Sequence, residues 1–283
     1  MKMQLRLAAI LLAVAALQPV PSGAGQAPGK AQEAAATPAA PTESEVRARR
    51  LLDGAAAFLA AQKEVELRVV ASYEVLQKSG QKIEFGEEAT IALRRPNELR
   101  VDRESSNGAR EILLFDGKGI TMFDLDHKVY AQSDRAGNVD ETIRHFVGDL
   151  HMRLPLAPLF LTTLQQELDR RAGGIDDVET TSVAGQLTHH IAGRTRTVDF
   201  ELWIADGNKP LIQRVALSYR ELPGHPRFRA DLVDWDLDPD FSDTVFRLEL
   251  PKDATRIAFA AELAQAAAQA QPAATPASGK GAK

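Results

Sequence analysis

Apolar residues along this chain follow two periods, and the switches between them mark its elements. Thr42-Glu43-Ser44-Glu45 has the form of a capping box, and Ala48, Leu51, Leu52, Ala55, Phe58 and Leu59 then recur at helical spacing to about Gln62. The period next drops to two. Leu67, Val69, Ala71, Tyr73 and Val75 alternate with Arg68, Ser72 and Glu74, and beyond the Ser79-Gly80 turn the set Ile83, Phe85, Ala89, Ile91 and Leu93 continues it. Such alternation predicts a strand pair with one wet face. Leu99 and Val101 follow the Pro96-Asn97 break, Ile112–Phe115 and Ile120–Phe123 flank the hairpin signal Asp116-Gly117-Lys118-Gly119, and Val129–Gln132 adds another strand.

From Val139 the helical period returns, with Val139, Ile143, Phe146, Val147 and Leu150 on one stripe. The apolar segment Leu154–Leu161 is interrupted by Pro155 and Pro158, which forbid a regular buried helix there; Pro158 is placed to start one running to about Arg171. After Gly173-Gly174 come further runs with short turns between them: Val178–Val183, Leu187–Ala192, Val198–Ile204, Leu211–Tyr219 and Phe228–Leu237, with an edge strand near Phe246–Leu250. Sequential strands on short turns make an antiparallel meander, because parallel pairing needs long crossovers. The expected fold is α+β: a strongly curved antiparallel sheet of about eleven strands, a half-barrel, with an N-terminal helix and two central helices over its concave face.

The first residues change the picture of where this fold works. Lys2 and Arg6 precede the apolar run Leu7–Leu17, then Pro19, Pro21 and the small-residue site Ser22-Gly23-Ala24. This is the three-part layout of a secretory signal, cut near Ala24, and the run is too short to span a bilayer, which takes about 20 residues. The expected organisation is a signal at 1–24, a disordered Ala/Pro-rich linker at 25–41, one folded domain at 42–257 and a low-complexity tail at 258–283. Of 283 residues, 34 are Lys or Arg, 39 are Asp or Glu, and none is Cys. Without thiols there is no cysteine nucleophile, thiolate metal site or lipid-anchored cysteine, so a soluble periplasmic location is expected. Loss of Lys2 and Arg6 takes the formal charge from −5 to −7, which speaks against nucleic acid and against more than a peripheral or transient contact with an anionic membrane.

Candidate chemistry is sparse. His189 and His190 are adjacent on a strand and point to opposite faces, and the other histidines are scattered, so no metal ligation follows from their spacing. Asp236-Leu237-Asp238-Pro239-Asp240 resembles the start of a calcium loop, but Phe241 and Arg247 replace the glycine and glutamate that such a loop needs. No nucleophile elbow or phosphate loop is present, and no cofactor or catalytic residue is expected. Arg94, Arg95, Arg100, Arg103 and Arg110 read either as outward cross-strand partners of Glu84, Glu88, Glu98 and Glu104 or as a rim meeting an anionic headgroup.

Leu202-Trp203-Ile204 with Pro210-Leu211-Ile212, then Tyr219, Phe228–Leu237 and Phe246–Pro251, resemble the C-terminal half of bacterial predicted periplasmic proteins of domain-of-unknown-function family 2092. More distantly, the order of parts resembles the periplasmic lipoprotein carriers of the LolA/LolB type. That resemblance implies a half-barrel closed by helices over an apolar cavity for acyl chains. The expected function is therefore a non-catalytic exported protein that holds a hydrophobic small molecule, a lipid or lipoprotein acyl chains, with a role in envelope lipid or lipoprotein trafficking. The pocket is expected at roughly 300–1,000 Å³. Its floor would be Leu67, Val69, Tyr73, Phe85, Ile91, Leu99, Phe200 and Leu202, its lid Leu154, Leu156, Leu159 and Phe160, with the flanking helices as movable cover. The rivals are a filled-core adaptor that binds another envelope protein, and an enzyme of unrecognised type.

Overall fold

The computed structural model describes residues 40–263. The expected signal segment, nearly all of the linker and most of the tail lie outside them. Helix α1, Glu43–Ala61, begins as its capping box dictates: the Thr42 hydroxyl accepts from the Glu45 amide at 3.1 Å and the Glu45 carboxylate accepts from the Thr42 amide at 2.6 Å. Its inner face is mostly small, with Ala48, Ala55 and Ala56 beside Leu52 and Leu59, so the helix lies close on the sheet. None of the helices among the described residues is long and apolar enough to cross a membrane.

Twelve strands follow in one sheet: β1 Glu64–Leu76, β2 Lys82–Arg94, β3 Glu98–Ser105, β4 Arg110–Phe115, β5 Gly119–Asp124, β6 Val129–Asp134, β7 Ala172–Val183, β8 Gln186–Thr195, β9 Val198–Ala205, β10 Ile212–Tyr219, β11 Arg227–Asp236 and β12 Thr255–Ile257. Two antiparallel meanders, β1–β6 and β7–β11, meet where β11 returns to pair with β1, and β12 closes the far edge in parallel with β6. The open, curved sheet with helices on one face is the expected half-barrel. The main core fills its concave side, with Leu93, Phe115, Ile120, Ile191, Ile204 and Leu232 among its most buried members.

Three local expectations are corrected. Residues 246–250 form no strand; instead Phe246 is buried on the outer face against Ala92, Ile112 and Leu114, with Phe241 edge-on at 5.3 Å and the Arg94 guanidinium 4.7 Å over its ring. The cause is in β4, whose run Ile112–Phe115 is apolar on both faces, so the outer pair needs a cover of its own. The helix expected from Val139 to Leu150 is α2, Val139–Arg144, followed by a π-helical turn over His145–Asp149, in which the Leu150 amide reaches the His145 carbonyl. The helix expected from Pro158 to Arg171 is split into a 3-10 turn at Ala157–Phe160 and helix α3, Leu164–Arg171. Between them the Thr162 amide and hydroxyl donate to the Asp140 carboxylate at 3.1 and 2.7 Å, a side-chain bond that replaces the helical one.

Candidate functional site

The concave face is ordered in cross-strand rows. Leu67, Ile91, Val101, Leu113 and Met122 stand opposite one another across β1 to β5 and are all apolar. One pleat further along, the row runs Val69, Ala89, Arg103, Glu111 and Asp124, and the next begins Ala71, Glu87, Ser105. The floor therefore passes from greasy to charged within two residues of strand.

Over the apolar part of this floor lies a cavity of about 130 Å³. Val69, Ala89, Ile91, Leu99, Val101 and Leu113 form much of its floor; Ile143 of α2, Phe146 of the π-helical turn and the segment Met152–Ala157 with Phe160 form its roof. Pro155 and Pro158 hold that segment off helical geometry, so it crosses the trough as an irregular strap ending in the 3-10 turn. The expected size of roughly 300–1,000 Å³ is corrected. Leu156, Leu159 and Phe160 are themselves buried and fill most of the trough, which leaves a void of about four water volumes at ~30 Å³ each.

Of the expected floor residues, Val69, Ile91 and Leu99 line the cavity, and of the expected roof residues Leu154, Leu156 and Phe160 do. Leu67, Leu202, Phe200 and Leu159 are buried in the surrounding core and do not line the void. Phe200 packs its ring tip against Gly193, where any Cβ would stand 2.3 Å from it. Tyr73 and Phe85 stack at 5.9 Å outside the cavity walls, and Phe85 is 38% exposed.

The five arginines divide by direction. Arg94 pairs with Glu98, Arg100 with Asp102 on its own strand and Arg110 with Asp126, all on the outer face. Among the four expected partners these five arginines use only Glu98, the cross-strand neighbour of Arg94. Arg95 turns inward and donates to the Gln62 and Phe160 carbonyls at 3.1 and 2.8 Å, with Asp140 at 3.7 Å. Their side chains are 13% and 11% exposed, so this pair ties the end of α1, the strap and α2 together under cover.

Arg103 also points inward, where it binds Glu111 tightly and stands 3.6 Å from Glu87. All three side chains reach the cavity wall and keep partial contact with solvent, which makes this charged end its mouth. Burial pushes the Glu87 carboxyl above its ordinary range, opposed by Arg103 and assisted by Glu111. Burial lowers Arg103, and its two carboxylates more than offset that. Sequence reading takes Glu87 with Glu88 as an adjacent acidic pair on alternating faces, does not single out Glu111, and leaves Arg103 between an outward partner and a rim. The available signal was parity: Arg103 continues Leu99-Val101, Glu87 continues Ile91-Ala89, and Glu111 precedes Leu113, each at inward spacing.

His190 stacks on Trp203 at 4.1 Å and contacts Glu201, whereas His189 contacts Asp206, so the two rings do not meet at one site. Asp236 caps its own turn, accepting from the Asp238 amide at 3.0 Å.

Among solved structures, the chain is similar to the lipoprotein LppX of Mycobacterium tuberculosis, at 14% identity and TM-score 0.46 over 71% of this chain and 100% of that one. It is similar to LprF of Mycobacterium bovis, at 11% identity and TM-score 0.44 over 75% and 99%. A LolA superfamily protein of Nitrosomonas europaea matches at 10% identity and TM-score 0.36 over 71% and 97%. At these scores none of them carries the functional argument, which rests on the cavity. No curated protein matches the sequence. Residues 48–260, the span that holds all twelve strands together with the roof and cavity, match the model of the predicted periplasmic protein family DUF2092, and the chain belongs to that family of predicted periplasmic proteins.

Proposed function

We propose that the protein binds an apolar ligand, a lipid or the acyl chain of a lipidated protein, with the chain in this cavity and the Met152–Phe160 strap as its movable cover. The observation that carries the reading is a walled apolar void on the concave face. Protein interiors pack to a density near ~0.75 and leave few voids larger than a water molecule, so a hollow at the junction of floor and strap calls for an occupant. Its inward charges favour binding over catalysis, since Glu87 and Glu111 share one guanidinium.

The size of the hollow sets the chain length. As it stands it accepts about four methylene-sized groups, judged by the ~30 Å³ of a water. A longer chain must displace the strap, and exposing Leu156, Leu159 and Phe160 costs roughly 5–9 kcal/mol at ~1.5–3 kcal/mol each. Burial of about ten methylenes at ~0.8 kcal/mol each offsets this. Ligands with ten or more carbons therefore hold the strap open, and a carrier role in lipid or lipoprotein trafficking would use that motion.

The test is native mass spectrometry of the protein purified from its own periplasm, followed by organic extraction. Co-purifying lipid near one per chain is expected. No extracted lipid, with no thermal shift from any long-chain amphiphile, would reject the reading in favour of the filled-core adaptor.

A further inference from the structure

The β7 end of the sheet is an edge that is covered along one half only. β7 is the last strand in the order and pairs with β8 alone. At Asp177 helix α1 takes the outer backbone groups: the Asp177 amide donates to the Ser44 hydroxyl at 2.9 Å, and that hydroxyl donates to the Asp177 carbonyl at 3.2 Å. Past the bulge that follows Asp177, none of the described residues takes that place. The Leu187 carbonyl accepts from the Asp206 amide at 2.9 Å, so the backbone groups of Leu187 face β9, and those of Ser182, opposite it in register, face out of the sheet. Thr180, opposite His189, does the same. Proteins blunt such edges with lysine, proline or inward charge, yet Val178–Val183 has no Lys or Pro and a single charge, Glu179, which lies 3.7 Å from His190. Val178 beside it is 51% exposed.

We infer that a second copy of this chain covers the edge, β7 against β7 antiparallel, about a two-fold axis at Thr181. The free groups set the register. Only when Thr180 of each copy faces Ser182 of the other do all the open donors and acceptors meet, in four main-chain hydrogen bonds, and this places Thr181 opposite itself. Glu179 then falls opposite Val183, and Val178 opposite Ala184, so no like charges face each other, and the threonine pair on the axis is a favoured one. Pairing ends at Asp177, where Ser44 already holds the edge. So short a strand pair covers less than the ~1,200 Å² of a permanent interface, and the association is therefore reversible and concentration-dependent. It is independent of the ligand reading.

The test exploits a chain without cysteine. Thr181→Cys puts two thiols at a non-hydrogen-bonded pair, where Cα atoms stand ~4.5 Å apart and a disulfide can close. Mild oxidation of the folded protein should give a disulfide-linked dimer. Glu179→Cys should not, because its two thiols would lie about four residues apart along the pair at ~3.3 Å each. Sedimentation equilibrium of the unaltered protein should show the mass rise from one chain toward two with concentration. Ser182→Pro should weaken that association roughly thirtyfold, the scale of two lost main-chain hydrogen bonds, while the monomer keeps its ladder because the lost N–H faces away from β8. A single-chain mass at every concentration with no disulfide from Thr181→Cys overturns the inference. Equal crosslinking of the two cysteine variants overturns it as random collision, and a Thr181→Cys thiol shielded from maleimide in the monomer overturns it by assigning the edge to a segment of the same chain. If Ser182→Pro fails to fold, the two cysteine variants decide.

Discussion

Substitution of Ala89 by leucine tests whether the hollow is real and whether the ligand uses it. Ala89 sits half-buried on β2 between Val69 and Arg103, and its methyl lines the cavity. Leucine adds three carbons, and the void of about 130 Å³ has room for about four groups of water size, ~30 Å³ each. At ~0.8 kcal/mol per buried methylene the gain is at most about 2.4 kcal/mol, reduced by lost rotamer freedom of ~0.5–1 kcal/mol. Ala89→Leu should therefore raise unfolding stability by about 1–2 kcal/mol in urea titration. The added side chain also takes the space of about three ligand methylenes, so decyl-chain ligands should bind roughly fiftyfold more weakly. Ala71 is the control: it lies two residues away in register with Glu87, is buried and does not line the void. Ala71→Leu should overpack and cost ~1–3 kcal/mol. If Ala89→Leu destabilises as much as Ala71→Leu, or if ligand affinity is unchanged, the reasoning from the cavity is wrong.

Leu156→Ala removes a buried strap side chain and should destabilise by ~2–5 kcal/mol, while shifting preference toward longer acyl chains; a chain-length series by thermal shift reads both effects. Arg95→Ala leaves Asp140 buried beside only Arg144, at 3.8 Å, and frees the Phe160 carbonyl, so a loss of ~3–5 kcal/mol is expected, with faster amide exchange across Ala157–Thr162 than across α1. The pH dependence follows from Glu87, whose folded-state carboxyl is raised above the ordinary 4.5 by burial, with Arg103 opposing and Glu111 assisting. Its contribution is fully present below the ordinary value and is lost as pH rises through the raised one. Urea midpoints of Glu87→Gln should therefore gain on the unaltered protein as pH rises above 4.5, and parallel curves would show that the carboxyl titrates normally in the fold.

Much of the architecture was readable because each element satisfies its own local rule. The capping box at Thr42, the period-two sets of β1 and β2, and the Asp116–Gly119 turn are all set by neighbours in the chain. The misplaced pieces share a cause in contacts distant in sequence. Thr162 leaves the helical pattern for Asp140, and Phe246 leaves the expected strand to cover Ile112 and Leu114. The candidate site divides the same way. Val69, Ile91 and Leu99 were recognisable as inward, but so were Leu67, Phe200 and Leu202, and parity does not tell a wall from a plug.

The sequence alone determined the helix–sheet alternation, the inward and outward faces and membership of a periplasmic family, because period and composition are properties of the chain itself. Only the tertiary structure decided how far the strap sinks into the trough, since that depends on volumes of side chains brought together from β1 to β5, α2 and the strap. The same closure turned Arg103, Glu87 and Glu111 from three surface charges into one group at a mouth. Burial and proximity across strands, which no linear pattern encodes, are the physical quantities that made them a site.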